Sequence, residues 1–366
     1  IAFAQRGADV QVFEQAGEIR EVGAGIQITP NGARVLHALG CHADLDQAGI
    51  RAQAVVPVDG LTGLAVTRFD LSGQSPAYRF FHRASLIGLL GRAAQAAGGK
   101  IFLGVRVTSV SDQGVLCTTE GEFASDLCVG ADGIHSIART FVGEVSKPEF
   151  TGQVAWRGTM AAQGVSPEAH IWMAPGRHVV TYPMRNGVLN IVAVQERAAW
   201  AEEGWHHADN PAHLAAAFSD VGSALREILG QVETVNRWGL FRHPVADVWQ
   251  NGHLALLGDA AHPTLPFLAQ GANMALEDAW ALCMCLNADV PLVERLARYQ
   301  NARRDRASKV IEAANANAWR YHLRRTPLRL AAHLALALGS KVAPGVMLHQ
   351  FDWLYGYDIT SVLPEN

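Results

Sequence analysis

Nothing in the chain reads as a membrane span: no run of about 18 apolar residues escapes a charge, and a bilayer-crossing helix needs roughly that length. Basic residues are not in excess either. Against 34 Asp and Glu stand 30 Lys and Arg, a net charge of −4, so a nucleic-acid surface is not indicated. Cysteine is sparse: Cys41, Cys117, Cys128, Cys283 and Cys285 are five, odd in number and scattered. Cys283 and Cys285 are two apart on an expected helix and so face different sides. A disulfide framework is excluded, and the pattern suits a reduced, cytoplasmic setting. Histidine is plentiful at 15, yet HExxH is missing and the set His206, His207 and His213 fits no usual ligand spacing. No metal is expected. Internal repeats and low-complexity tracts are also lacking. With 366 residues, 49% of them hydrophobic and 17% charged, the chain can bury a large core and reads as an ordinary globular protein.

What is present starts abruptly. In "IAFAQRGADVQVFEQAGE", Gly7 ends a short helical stretch and "DVQVFEQ" reads as a strand finishing on Glu14. A strand ending in an acid is the second strand of a dinucleotide-binding unit, whose carboxylate accepts hydrogen bonds from the ribose hydroxyls of an adenosine. The glycine-rich turn GxGxxG belongs about 20 residues before that acid, and counting back from Glu14 runs past Ile1. The first strand and its turn are therefore expected ahead of this sequence, with an unpaired sheet edge beside "VQVFE". A plain surface glutamate closing a strand is the alternative for Glu14.

Next come a glycine-rich loop at Gly23 and Gly25 and an amphipathic helix starting at Pro30-Asn31. In "YRFFHRASL", Arg83 precedes Ser85, an expected N-cap. An arginine near a helix start can pair with a pyrophosphate. The strand "SDLCVGADG" ends in Asp132, where α/β proteins place ligand contacts. From about Phe150 to Trp249 the pattern turns β-rich, with turns at Pro175-Gly176 and Asn186-Gly187, the second a good hairpin signal. "GHLALLGDA" then returns to the α/β pattern and ends on Asp259. Beyond it lie a proline-held loop through Pro263 and Pro266 and a helix that starts around Gln270 and carries Glu277 and Asp278. From Leu292 onward the chain reads as mostly helical.

DGxxSxxR at Asp132 to Arg139 and GDAAHPxxPxxxQGxNxxxEDA at Gly258 to Ala279 resemble the two signatures of single-component FAD-dependent aromatic hydroxylases. The likeness is to the salicylate, 3-hydroxybenzoate and 6-hydroxynicotinate hydroxylase branch, supported by "VFEQA", "GAGIQITPN", "HRASL", "TGQVAWR", "TYPMR" and "FDWLYGYD". It spans nearly the whole chain. The resemblance implies an α/β fold: a Rossmann-like FAD-binding domain (1–57, 80–148 and 248–300), an inserted antiparallel β-sheet substrate domain (58–79 and 149–247) and a helical C-terminal segment (301–366). It also implies FAD as cofactor and NADH or NADPH as co-substrate. A phenolic or heteroaromatic acid would be hydroxylated with dioxygen through a flavin C4a-hydroperoxide. No nucleic acid or membrane partner is expected, and the protein would be a monomer or homodimer.

Residue by residue, the resemblance places Glu14, Gly25, Arg83, Asp132 and Asp259 on the FAD. The N–H groups of Gly271, Ala272 and Asn273 would meet the flavin's pyrimidine edge, where a helix N-terminus favours the anionic reduced ring. Pro266 would lie beside the reactive face. The phenol, whose free pKa is about 10, would be activated by His178 and Tyr182, four apart and on one strand face, with Arg157 pairing with the phenolate or a carboxylate. The branch has a histidine where this chain has Gln27. His262 is expected to brace its loop, and Trp156 and Trp172 either wall a flat pocket or fill core. Two alternatives share the fold: another flavin-dependent oxidoreductase, whose halogenase form would carry a Trp-x-Trp-x-Ile-Pro run absent here, and a non-catalytic remnant without tight FAD binding.

Overall fold

A computed structural model of the chain describes all residues except 19–24, 144–146, 198–202, 204–206, 343–349 and 364–366, and the side chain of residue 318. Gly23 and His206 thus lie outside the described residues.

The α/β part is built on short parallel pairs. The strand Gln11–Glu14 runs parallel to Lys100–Leu103, and Cys128–Gly130 runs parallel to Leu254–Leu256. Among the described residues these pairs form separate sheets, and Gln11–Glu14 has one hydrogen-bonded neighbour. Gly7, in the left-handed region at φ 84°, closes the short helix before it, as its position suggested. Around these pairs one core gathers Leu36, Trp249, Leu254, Leu256, Trp280 and Tyr299.

The inserted part is an eight-stranded sheet. Its strand Ala54–Asp59, next to the edge strand Phe69–Asp70, runs parallel to Glu168–Ala174 and straddles the expected domain boundary between residues 57 and 58. The hairpins turn where glycine allows it: Asn186 and Gly187 have φ of 64° and 66°, and Gly176 has 69°. Side chains alternate across the pleat and so sort into two faces. Trp156, Trp172, Val179 and Ile191 point to the face covered by the helices Pro211–Ala217 and Ser223–Gly230, whose Leu214, Phe218, Leu225 and Leu229 close that core. Trp156 and Trp172 therefore belong to this core; their indole N–H groups are held by Asp209 and Thr181 at 2.8 and 3.1 Å. The opposite face carries Arg157, His178, Val180 and Tyr182 toward the α/β part.

Two places depart from expectation. The helix after "YRFFH" begins at Arg83 itself, with His82 at its N-cap and no side-chain cap, so Ser85 lies inside the first turn. The C-terminal region is no separate segment: the helix Leu292–Tyr321 spans the expected boundary at 300. Its Arg306 holds the carbonyls of Trp353 and Leu354 at 3.1 and 3.2 Å, while Arg34 holds that of Tyr355 at 2.6 Å. "FDWLYGYD" is thereby tied back onto the glycine-rich segment.

Candidate active site

The two best motifs fold against each other. In the helix Gly271–Leu286, Asn273 accepts the N–H of Thr29 at 2.9 Å and donates to the carbonyls of Gln27 and Ala269 at 3.1 and 2.7 Å. Asn31 donates to Gln270 and Glu277 at 3.0 and 2.7 Å, and Gln270 donates to Thr29 at 3.1 Å. All are buried. A Cβ on Gly32 would collide with the Asn273 amide. "GAGIQITPN" and "QGANMALED" are thus one polar seam, which fixes where the helix starts.

Glu277 and Asp278 anchor that helix from within. Arg303 bonds Asp278 Oδ1 and Glu277 Oε2 at 2.7 Å each, and Arg306 joins Glu277 at 2.7 Å. Asp278 also accepts the Gly258 N–H at 3.0 Å and the His262 Nε2–H at 2.5 Å. Burial pushes the Asp278 carboxyl up, but His262 and Arg303 outweigh it and hold it at about 2. Burial pushes His262 down, and Asp278 overcomes that to raise it. His262 therefore braces the loop through its bond to Asp278. These carboxylates serve the scaffold, a role their place in the first turns did not disclose.

That scaffold leaves a polar recess at the carboxyl end of Leu254–Leu256. Asp259 is closely surrounded by protein yet reaches solvent; burial raises its carboxyl, against His262 and Arg83. Met274 is the first residue of its helix to bond back, to Gln270 O at 2.8 Å, so the N–H groups of Gly271, Ala272 and Asn273 precede any intrahelical acceptor. Arg83 also acts electrostatically on Tyr182 and Arg157, which places it among them. At Gly25 a Cβ would collide with Tyr182 and crowd Asn190, so this backbone approaches the sheet as only glycine can. Asn190 was missed in the sequence and no local signal marks it. Its amide is wholly buried opposite Tyr182, and neither its oxygen nor its nitrogen has a hydrogen-bond partner among the described residues. An accessible carboxylate at a strand end, a helix N-terminus, a glycine cradle and an orphaned buried amide together suit a polar, partly anionic cofactor such as FAD.

Not every expected ligand converges there. Asp132 uses both carboxylate oxygens on its own chain, taking the Ser136 hydroxyl at 2.5 Å and the N–H groups of Ile137 and Ala138 at 2.7 and 3.0 Å. It thereby helps hold the start of the helix Ile137–Phe141, whose N-cap is Ser136, while Asp132 itself stays exposed. Glu14 is exposed at its strand end, where its carboxylate accepts the nearby Ala16 N–H at 2.8 Å.

A second cavity, of about 570 Å³, adjoins the loop Pro266–Ala269. Its walls are chiefly apolar: Val55, Pro57, Ile171, Met173 and Val180 from the sheet face, Phe267 and Leu268 from the loop, and Leu328, Ala332 and Leu336 from the helix Thr326–Val342. Gln27, Tyr78, His178 and His333 supply polar points. Tyr78 donates to Gln27. Burial, reinforced by His322, pushes His178 well below its ordinary range, so it is neutral. Tyr182 is not on this wall; it packs on Phe80 with ring centroids 5.0 Å apart, and burial lifts its hydroxyl to about 12 against Arg157. Four residues of strand separate it from His178, about 13 Å at 3.3 Å each. The two share a face at different places along the strand, His178 on the cavity wall and Tyr182 beside Gly25.

Comparison with known proteins matches this architecture. Residues 2–314 fit the family described as FAD binding domain. The 3-amino-4-hydroxybenzoate 2-monooxygenase of Streptomyces cremeus is 36% identical over 332 residues, covering 87% of this chain and 83% of that protein. The 3-hydroxybenzoate 6-hydroxylase of Polaromonas naphthalenivorans (strain CJ2) is 29% identical over 388 residues, covering 100% and 94%. The crystal structure of Klebsiella pneumoniae HpxO complexed with FAD and uric acid superposes with a TM-score of 0.81 at 24% identity, covering 94% of this chain and 91% of that one. The chain belongs to the FAD-binding domain family. Within it, the protein is an FAD-dependent monooxygenase of the aromatic-hydroxylase class, as the two sequence signatures implied.

Proposed function

We propose that the protein hydroxylates a hydroxybenzoate-like phenol, with His178 as the base that takes the phenolic proton. The single observation that carries this is the placement of a neutral, buried histidine on the wall of an apolar cavity that opens beside the Pro266 loop. An aromatic ring fits such walls, and hydroxyl activation needs one well-placed acceptor. Arg157, buried beside Trp238 at 5.7 Å, supplies positive charge on the same sheet face for a carboxylate or the phenolate. Asp259, Arg83, Gly25 and the N–H groups of Gly271, Ala272 and Asn273 would hold FAD, with Glu14 reaching its ribose and Pro266 beside its reactive face. Tyr182 would line the Gly25 side of the same recess. When bound and reduced by NADH or NADPH, FAD supplies the activation of dioxygen; the protein positions the ring, removes its proton and excludes water.

The test is a screen of NADH and NADPH consumption over hydroxybenzoates, aminohydroxybenzoates and hydroxypyridines, scored by product identity. Ring-hydroxylated product from at least one phenolic acid, in step with the nucleotide consumed, is the expected result. Peroxide alone from every phenol would sink the proposal.

A further inference from the structure

His178 does not end the polar path that begins in the cavity. Its Nδ1 lies 2.7 Å from His322 Nε2, and His322 Nδ1 lies 3.1 Å from Glu196 Oε1. Glu196 is 32% exposed, whereas the His322 side chain is 1% exposed. A chain of three side chains therefore leads from the apolar cavity to solvent. We infer that His178, His322 and Glu196 form a proton relay that carries the phenolic proton out of the substrate cavity.

The direction of each bond follows from chemistry. A carboxylate only accepts, so His322 Nδ1 must carry its hydrogen toward Glu196. Burial lowers both histidines, in His322 against the pull of Glu196, and a neutral His322 then presents Nε2 as an acceptor. His178 must donate to it from Nδ1, which leaves the Nε2 lone pair of His178 for the cavity it lines. The carboxylate at the surface thus sets the tautomer of a base two rings away.

Proton transfer balances without leaving charge in the cavity wall. The phenolic O–H bond breaks and its proton joins His178 Nε2, while the electron pair stays on the phenolate oxygen. The Nδ1 proton of His178 passes to His322 Nε2, and the Nδ1 proton of His322 passes to Glu196 Oε1, which exchanges with water. The reverse sequence restores the tautomers when a proton returns.

The frame around the relay is rigid. Arg324 grips the other oxygen of Glu196, Oε2, with Nε at 2.8 Å and Nη2 at 2.6 Å, so Oε1 stays turned to His322. The hairpin tip clamps the same residues: the Gly176 N–H donates to His322 O at 3.1 Å, and the Glu196 N–H donates to Gly176 O at 2.9 Å. A Cβ at Gly176 would press into the Arg324 guanidinium. Tyr321 and Phe267 pack on the His178 ring at 5.2 and 5.6 Å and shield it from water. Besides His322 and Glu196, the titratable or charged groups around the path include Tyr321, Arg320 and Arg324, Arg177 next to His178 in its strand, and Arg197, His213 and Arg237 around the recess that Glu196 lines.

The inference rests on the phenol-hydroxylating function proposed above, but its test does not need turnover. Holoenzyme is titrated with 4-nitrophenol, whose bound phenolate is read by difference absorption across pH. Wild type should ionise the bound phenol at lower pH than it ionises free in solution. Glu196→Gln and His322→Gln should raise that midpoint by about one unit or more, about a tenfold loss of phenolate at a given pH. Hydroxylation by both variants should fall about 10²-fold and recover partly as pH rises, while nucleotide oxidation and FAD content stay near wild type. His322 and Glu196 are positioning residues, so the ionisation midpoint is the deciding signal; a merely structural role would not move it. Glu196 is partly exposed, so its variant keeps the fold even if His322→Gln does not. Midpoints in Glu196→Gln equal to wild type, or a wild-type cavity that leaves the phenol's ionisation unchanged or binds no phenol, would overturn the relay. A shifted midpoint without ring hydroxylation would instead overturn the proposed reaction and keep the relay.

Discussion

Single residues here separate scaffold from site. Asp278 belongs wholly to the scaffold, and its pH behaviour can be signed. Its folded-state pKa is depressed to about 2, so its contribution is present above the ordinary carboxylate range and is lost as pH falls toward 2. His262 is raised, so its share is present below its unfolded value and is lost as pH climbs past the folded one. The pair should stabilise most between about pH 4 and 6.5, with Asp278 worth about 2 kcal/mol there. Asp278→Asn should lower stability by about 3 to 5 kcal/mol, the cost of breaking a buried pair, and flatten the acid limb. Denaturant melts from pH 3 to 8 would show both. Asn190 should behave in the opposite way. Its unsatisfied amide costs about 1 to 3 kcal/mol in the ligand-free fold. Asn190→Leu should therefore raise the Tm of cofactor-free protein yet weaken binding of FAD or aromatic substrate. A lower Tm without ligand would show that the amide has a partner after all.

At the scale of elements, the sequence was informative where chemistry follows chain order. The turn at Asn186-Gly187 and the helix stop at Gly7 were each legible, because a local backbone demand selects the residue, whereas the strand expected to end on Asp259 stops at Leu256. What stayed hidden depends on pairs distant in sequence. Nothing near Glu196 announces His322, 126 residues away. The period-2 pattern put His178 and Tyr182 on one face correctly, but a face says nothing about spacing along it. At Asp132 the pattern leaves two roles open, since an acid at a strand end can hold the start of the next helix as well as face a ligand. The seam between the segments Gly25–Ile28 and Gly271–Leu286 gives the element-scale prediction. Gly32→Ala touches no ligand, yet its Cβ must displace the Asn273 amide and with it the helix start. FAD affinity should drop about tenfold, with a fall in Tm, since a small core overpacking costs about 1 to 3 kcal/mol. Fluorescence titration of FAD against the variant would measure it. Unchanged affinity would mean that the helix start does not set the cofactor site.

In the whole molecule, the cavity is a joint product of three parts that the chain visits at different times. The sheet gives one wall, the Pro266 loop another, and the helix Thr326–Val342 covers it with Leu328, Ala332 and Leu336. That cover is pinned at one end. Asp59, at the end of its sheet strand, pairs with Arg329 and lies 3.2 Å from His333, while also accepting the Leu61 N–H at 2.9 Å. Burial raises Asp59, and the backbone N–H groups of Leu61 and Thr62, with Arg329, bring it below its ordinary value. Much of the helix's outer side is apolar and exposed, with Leu330, Leu334 and Leu338 more than half accessible, so packing on that side does not hold it down. Arg329→Met keeps the stem's bulk and removes the charge-assisted bond, worth about 1.5 to 3 kcal/mol. The cover should then open more often. FAD binding and nucleotide oxidation, which the proposed function assigns to the other side of the motif loop, should change little. The KM for the aromatic substrate should rise about tenfold, and water entering the cavity should divert oxygen to hydrogen peroxide at the expense of product. Restoring the charge with Arg329→Lys should recover part of the coupling. Should Arg329→Met hydroxylate as tightly coupled as wild type at saturating substrate and at low substrate alike, the helix is a fixed wall and the Asp59 pair is only part of the scaffold.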